Sequence, residues 1–180
     1  MQNALWTIVA LWSHPVVASE QVGLLELFNY YEYSPQLMSS GQPTRAQFAA
    51  IRAAGVEAVI NLAPVTDPGA LADEQALVTG LGMDYVHIPV NWDHPAPADL
   101  DRFYAAMAQF TGRRLLVHCY AGSRASAFVF LYRVTRRGEA EQGARATMLE
   151  IWDNNPGYEL AKVPQWTAFI DAALADMHQR

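Results

Sequence analysis

The chain contains one cysteine, Cys119, in a segment whose residue types could carry out nucleophilic chemistry. An apolar strand pattern from Arg114 to His118 leads directly into it, and a helical pattern follows from Ala125. An open α/β sheet places its ligand site where such a strand leads into a helix. The free backbone N–H groups and the positive end of that helix favour an oxyanion or a thiolate. The segment therefore predicts a nucleophilic Cys119 thiolate in an anion-binding loop.

The residues after the cysteine extend this prediction to an anion site. Cys119 and Arg124 are separated by Tyr120, Ala121, Gly122 and Ser123. Backbone N–H groups of this loop would surround a bound anion, and Gly122 permits a close approach of the backbone. The Arg124 guanidinium can bind two oxygens of a tetrahedral anion at once. We expect Cys119 and Arg124 to be catalytic and the loop between them to bind substrate. The alternative is a small buried cysteine and a surface arginine.

Strand and helix patterns alternate on both sides of this loop, so the sequence predicts a single α/β domain. Its central, mostly parallel sheet is flanked by helices, because strands that alternate with helices form parallel pairs through right-handed crossovers. The predicted strands are Val56–Leu62, Tyr85–Val90 and Arg114–His118. The predicted helices run from about Thr44 to Ala54, Asp67 to Thr79, Leu100 to Phe110, 125 to 137, Glu139 to Trp152 and Pro164 to Met177.

Composition excludes several classes of protein. The 180 residues include 12 basic and 18 acidic side chains, a net charge of −6, with no basic cluster for a nucleic-acid backbone. The longest apolar run, Ala4 to Trp12, is too short to span a bilayer as a helix. A lone cysteine and histidines without metal-ligand spacing give no reason to expect a metal or a cofactor.

The first residues are typical of an export signal. The apolar run Ala4 to Trp12 precedes Val16 and Ala18, small residues that suit cleavage after Ala18. We therefore predict a signal peptide over residues 1–18, a periplasmic or secreted protein and a domain over residues 28–178. The absence of Lys and Arg from Met1 to Asn3 is atypical of such signals. The alternative is a cytoplasmic protein in which this segment packs on the domain.

Three segments resemble a known family: SGQPTRAQFAAIRAAGVEAVINL (40–62), IPVNW (88–92) and HCYAGSRASAFVFLYRV (118–134). The third is similar to the signature loop of the protein tyrosine phosphatase superfamily. Together the segments resemble the bacterial phosphatase-like family related to the domain attached to beta-lactamase hydrolase-like proteins, over about Phe28 to Trp166. The resemblance implies a dual-specificity-phosphatase-like fold. It also implies hydrolysis of phosphate monoesters, on a protein or a small molecule, through a cysteinyl-phosphate intermediate.

The resemblance also implies roles for residues outside the loop. An aspartate from an upstream loop protonates the leaving group in this superfamily, which makes Asp93 the third catalytic candidate. His118 would orient the loop, and Ser126 would donate a hydrogen bond to the Cys119 sulfur. A turn residue would equally explain Asp93, and a helix-start serine would equally explain Ser126. The competing Asp99 is better explained as a helix cap.

The spacing between cysteine and arginine departs from the usual phosphatase loop. That loop has five intervening residues, whereas four separate Cys119 from Arg124. The nearer relatives share the short form, so the arginine role falls on Arg124 and not on Ala125. The short loop also resembles that of rhodanese-type sulfurtransferases, which holds a cysteine persulfide. Sulfur transfer through Cys119, and noncatalytic binding of an oxyanion or phospho-ligand, therefore stay open beside phosphatase activity.

Overall fold

The computed structural model describes residues 23–178 and contains a five-stranded sheet in the order β1-β2-β5-β3-β4. The first strand is antiparallel to its neighbour, and the remaining pairs are parallel. The strands are β1 (Tyr31–Ser34), β2 (Leu37–Ser40), β3 (Ala58–Asn61), β4 (Asp84–His87) and β5 (Leu115–His118). The predicted α/β fold with a mostly parallel sheet is confirmed.

Helices cover both faces of the sheet. They are α1 (Gln47–Ala53), α2 (Glu74–Gly80), α3 (Pro97–Gln109), α4 (Ser123–Thr135), α5 (Glu141–Asp153) and α6 (Pro164–His178), with a short 3-10 turn at Leu160–Lys162. The first two helices pack on one face and the remaining four on the other. Helix α4 lies against the sheet, α5 and α6, which explains why its sequence is apolar on nearly every side.

The two faces of the sheet have separate apolar cores. The core on the α3–α6 side is the larger and contains the fully buried rings of Phe103, Phe128, Trp152 and Trp166. The core on the α1–α2 side is smaller and is built around Phe48. Burial of one such side chain stabilises a fold by roughly 1.5–3 kcal/mol. Because one core lies on each face, both cores stabilise the sheet that carries the cysteine.

The sequence patterns missed two strands and misplaced one helix start. Strands β1 and β2 were not predicted, because their polar residues resemble a loop. Ser39 is nevertheless buried. Its hydroxyl can be buried because it forms a hydrogen bond of 2.9 Å with the Tyr33 hydroxyl. The helix expected from Asp67 begins at Glu74, and Asp67 instead lies in the loop that follows β3.

The predicted signal peptide, residues 1–18, lies outside the described residues. Within residues 23–178, no helix has the length and apolar character needed to cross a membrane.

Candidate active site

Cys119 lies at the centre of the sheet edge where the parallel strands end. It directly follows β5, which pairs with β2 on one side and with β3 on the other. The segments that leave these two neighbours therefore flank the cysteine loop. Cys119 is only 1% exposed, so its sulfur lies at the bottom of the loop.

The loop folds its backbone toward the sulfur. The N–H of Gly122 donates to Cys119 Sγ over 3.2 Å, and such a bond favours the negatively charged thiolate. Gly122 has a φ of 90°, in the left-handed region. A Cβ atom at this position would also lie 3.0 Å from the Asn29 Cβ. Only glycine therefore fits both the backbone angle and the space.

The loop carbonyls are held on the outside by neighbouring segments. The Gln42 N–H donates to the Tyr120 carbonyl over 2.9 Å, and Asn29 Nδ2 donates to the Ala121 carbonyl over 2.9 Å. Asn155 Nδ2 donates to the same Ala121 carbonyl over 3.3 Å. A trans peptide unit points its carbonyl and its N–H in opposite directions. Anchoring these carbonyls outward therefore turns the following N–H groups inward, toward an anion site.

The start of α4 adds further donors to this site. The N–H groups of Ser123, Arg124 and Ala125 occupy the first positions of the helix, where N–H groups have no intrahelical partner. The Ser123 hydroxyl accepts a hydrogen bond from Asn155 Nδ2 over 3.1 Å. The Ser126 hydroxyl donates to the Ser123 carbonyl over 2.9 Å. In this structure Ser126 is thus directed at the backbone and not at the Cys119 sulfur.

Arg124 is buried, with 4% exposure, at the ends of β3 and β4. Its Nη1 donates to the carbonyls of Leu62 over 3.4 Å and Val90 over 3.3 Å, and its Nη2 pairs with the carboxylate of Asp67. The guanidinium carbon lies 5.7 Å from the centre of the Trp92 ring. A guanidinium has five N–H donors, so these three bonds leave two for the oxygens of an anion.

Asp67 is a site residue that the sequence patterns missed. They assigned it to a helix start, where an aspartate is unremarkable, and nothing within its own segment points to an arginine 57 positions away. Its carboxylate neutralises a buried guanidinium, which would otherwise be costly to remove from water. The pair fixes where Arg124 lies.

Among the described residues, no hydrogen bond or ion pair joins Asp93 to the cysteine loop. Asp93 is exposed, and its backbone N–H donates to Asn91 Oδ1 over 2.8 Å. Its side chain lines a groove of about 850 Å³ between α3 and α6, and none of the groove residues found within residues 23–178 belongs to the cysteine loop. The preceding residue, Trp92, nevertheless lies beside Arg124 and stacks on Trp152 at 5.7 Å.

His118 is fully buried beneath the loop, on the α1–α2 side of the sheet. Its Nε2 lies 3.1 Å from Glu74 Oε1, and its backbone carbonyl accepts the Leu62 N–H over 2.8 Å. The sequence pattern identified His118 as an orienting residue but did not identify its partner Glu74, 44 positions away. Asp99, the competing aspartate, accepts the Ala96 N–H over 3.3 Å at the start of α3, as a helix cap does.

Within residues 23–178, no three His, Cys, Asp or Glu side chains are grouped so that they could hold a metal ion.

Comparison with known proteins gives one consistent family. A family model described as a DSP-PTPase phosphatase fused to NAD+ kinase matches residues 16–162. The beta-lactamase hydrolase-like protein of Agrobacterium fabrum is 30% identical over 143 residues, which are 77% of this chain and 32% of that protein. A similar protein from Xylella fastidiosa is 29% identical over 139 residues, 75% of this chain and 31% of that protein. The chain thus spans about a third of the length of these curated relatives.

Solved structures share the fold. A phosphatase-like DUF442 protein from Shewanella putrefaciens CN-32 is 41% identical, with a TM-score of 0.76 over 86% of this chain and 94% of that one. TpbA of P. aeruginosa is 21% identical, with a TM-score of 0.59 over 84% of this chain and 91% of that one, a likeness that shows the fold alone. Structures exist of TpbA with phosphotyrosine and of PTPMT1 with PI(5)P. The predicted resemblance to phosphatase-like proteins is confirmed.

Proposed function

The chain belongs to the DSP-PTPase phosphatase family, and we propose that it hydrolyses phosphate monoesters with Cys119 as the nucleophile. The observation that carries this proposal is the position of the Cys119 sulfur, which accepts an N–H bond from Gly122 in a loop whose neighbouring carbonyls are anchored outward. Such a loop, followed by a buried arginine, suits a dianionic phosphoryl group.

The reaction has two steps. The Cys119 thiolate attacks phosphorus, and the bond between phosphorus and the leaving oxygen breaks with a proton supplied by Asp93. Arg124 and the N–H groups of Ala121 and Ser123 bind the other phosphoryl oxygens, while the Gly122 N–H holds the sulfur. Water then attacks the cysteinyl phosphate while its proton passes to the Asp93 carboxylate. The bond between phosphorus and sulfur breaks, which releases inorganic phosphate and restores both the thiolate and the protonated Asp93.

We assign the carboxylates of Asp67 and Asp93 to different tasks. The Asp67 carboxylate is paired with Arg124, so Asp67 positions the arginine. Asp93 lies in an exposed segment that Trp92 anchors beside Arg124. A rotation of this segment about Trp92 would carry the Asp93 carboxyl from the groove toward the leaving group.

The first experiment compares the two possible reactions of the cysteine. The protein is assayed with an aryl phosphate and, separately, with thiosulfate and cyanide. We expect release of phosphate that is abolished in Cys119→Ser, and no thiocyanate. Thiocyanate formation without phosphate release would replace the proposal with sulfur transfer, the alternative favoured by the four residues between Cys119 and Arg124. Inactivity in both assays with retained phosphate binding would indicate a noncatalytic binding module.

A second experiment tests the acid role of Asp93. Aryl phosphates with good and poor leaving groups are compared for Asp93→Asn and for the matched variant Asp101→Asn, an aspartate that lines the same groove. We expect Asp93→Asn to slow the poor leaving groups more than the good ones, because only the former need a proton. An equal loss for both, or the same pattern in Asp101→Asn, would remove the assignment.

We also propose that the protein acts in the periplasm or outside the cell, on the basis of the export signal predicted for residues 1–18. Mass spectrometry of the protein expressed with its full N-terminus tests this. We expect a chain that begins at Ser19, and an intact Met1 would contradict the proposed export.

A further inference from the structure

A second buried polar cluster lies beneath the cysteine loop, centred on the carboxylate of Glu74. Glu74 is the first residue of α2 and is 2% exposed. Its Oε1 receives Asn61 Nδ2 at 2.7 Å, the Tyr85 hydroxyl at 2.9 Å and His118 Nε2 at 3.1 Å, and its Oε2 receives Gln42 Nε2. One carboxylate therefore joins β3, β4, β5 and the turn after β2.

The bonding pattern favours an ionised Glu74. Oε1 faces the Asn61 amide N–H and Oε2 faces the Gln42 amide N–H, so neither oxygen is free to carry the proton of a neutral carboxyl. Burial on its own raises the pKa of Glu74, but the bond to His118, its charge, and the bonds from Gln42 and Tyr85 outweigh burial and leave the pKa below its ordinary value. A buried carboxylate needs a compensating positive charge. Among its four described partners only His118 is basic.

Three of these partners also contact the residues that form the anion site. His118 directly precedes Cys119 in the chain. Gln42, whose side chain binds Glu74, uses its backbone N–H to hold the Tyr120 carbonyl over 2.9 Å.

The third partner leads to the arginine. Asn61 precedes Leu62, whose carbonyl accepts from Arg124, and its Oδ1 accepts the Ala63 N–H over 2.7 Å. The Glu74 carboxylate is thus hydrogen-bonded to the side chains of three residues, and the backbone at or next to these residues supports the nucleophile, the loop and the arginine.

We propose that Glu74 is a positioning residue of this site, whose carboxylate holds His118 as an imidazolium under the cysteine and fixes the segments of Gln42 and Asn61. The imidazolium of His118 cancels the buried negative charge of Glu74. Without it, that charge would oppose formation of the thiolate at Cys119, the residue after His118. This role deepens the proposed phosphatase function, but it concerns the thiolate itself and can be measured without substrate.

Other groups around the pair leave this charge balance unchanged. On the Glu74 side, Tyr85 of β4 is neutral, because burial, and then the charge of Glu74, raise its pKa. From α1, the apolar Phe48 ring faces the His118 ring at 6.2 Å. The His118 Nδ1 is buried without a partner among the described residues. On the cysteine side, Arg124 has its own counterion in Asp67, and Arg133 faces the Tyr33 ring at 5.1 Å. The Tyr33 phenol is kept neutral by burial, which raises its pKa.

The test is a double-mutant cycle that follows the thiolate directly. Since the chain has one cysteine, the ultraviolet absorbance of the thiolate is obtained by subtracting the spectrum of Cys119→Ser across a pH titration. His118→Gln keeps a donor but removes the positive charge. We expect it to raise the pH midpoint of the thiolate signal by about one unit, as an uncompensated charge at close range in a protein interior does. Adding Glu74→Gln should return most of that shift.

The control is Asp73→Asn, which removes a negative charge one position earlier from an exposed pair with Arg45 and should leave the midpoint unchanged. A midpoint in Glu74→Gln/His118→Gln equal to or above that of His118→Gln would overturn the proposal. An equal shift in Asp73→Asn would overturn it as well.

If the variants do not fold, the wild-type protein still decides. Nitrogen NMR of the His118 ring should show both ring nitrogens protonated at neutral pH, and a neutral ring would overturn the proposal. These measurements are independent of turnover. A protein that shows the expected cycle but hydrolyses no phosphate ester would keep the role of Glu74 and refute the phosphatase function.

Discussion

The two sides of the sheet support the same loop by different physical means. On the α1–α2 side, beneath His118, the contacts are hydrogen bonds to one carboxylate, Glu74. On the α3–α6 side, the contacts are between aromatic rings, with Trp92 stacked on Trp152 and packed 5.3 Å from Trp166. Hydrogen bonds fix the orientation and the protonation state of the groups that they join. Ring packing instead fixes the position of a segment, because the rings fill space and exclude water. Changes on the first side should alter the chemistry, and changes on the second should alter stability.

Arg124 is the point at which several supports meet. The carbonyls of Leu62 and Val90 hold its guanidinium from the strand ends, Asp67 neutralises it, and Trp92 lies against it from the aromatic side. Its position therefore depends on both electrostatic and packing contacts, which makes it the residue at which the difference between the two sides can be measured.

The largest effect is expected on the aromatic side. Trp166 is fully buried, and its Nε1 donates to the Trp92 carbonyl over 2.9 Å. Trp166→Ala should lower the free energy of unfolding by about 3–5 kcal/mol, because it leaves a large cavity and an unpaired carbonyl. Urea denaturation measures this. Tyr158→Ala, at a ring that contacts Trp92 but is 53% exposed, is the control and should cost far less. Equal losses would mean that packing on this side is not what holds the loop.

Replacement of Arg124 should affect catalysis more than stability. Arg124→Lys keeps the charge but loses the fork of donors, so kcat/KM with an aryl phosphate should fall about 10²–10³-fold. Steady-state kinetics measures the loss, with Arg102→Lys, an arginine on the exposed face of α3, as the control. A loss below about tenfold would indicate that the loop amides alone bind the phosphoryl group.

Removal of the charge on Asp67 should give a smaller, binding-type effect. In Asp67→Asn the guanidinium loses its partner, and we expect KM for an aryl phosphate to rise roughly tenfold, which corresponds to about 1.4 kcal/mol. The loss should be the same for aryl phosphates with good and with poor leaving groups. A loss concentrated in poor leaving groups would instead make Asp67 the proton donor and would reverse the two carboxylate assignments.

The smallest effect concerns the pH dependence of stability. The pKa of Glu74 is lowered in the folded state, so its contribution to stability is present above the unfolded value of 4.5 and is lost as the pH falls through the folded value. The unfolding free energies of the wild type and Glu74→Gln should therefore converge as the pH drops below 4.5. Asp73 and Glu159, whose pKa values are also lowered, by side-chain bonds to Arg45 and Lys162, are present in both proteins and cancel. A constant difference across this range would contradict the charged bonding at Glu74.

The sequence patterns predicted the fold class and most helices because apolar periodicity reports burial on one or both faces of an element. They failed at β2, where buried serines replace apolar residues, and at the start of α2. There Asp67 and Pro68 have the types expected at a helix start, but the loop continues to Asp73. In both places the deciding contact comes from a distant segment: β5 pairs with β2, and Arg124 binds Asp67. A pattern within one segment carries no information about such contacts.

The sequence by itself determined the cysteine loop, since Cys119, Gly122 and Arg124 lie in one short continuous segment. The geometry of this segment follows from the positive φ of Gly122 and from the start of α4. Only the tertiary structure decided what holds that loop. Asn29 contacts the loop from 92 positions away, and Asp67 contacts Arg124 from 57. The physical reason is that parallel strands bring their carboxyl ends to one edge whatever the length of chain between them. The partners of a site at that edge are therefore fixed by strand order and register.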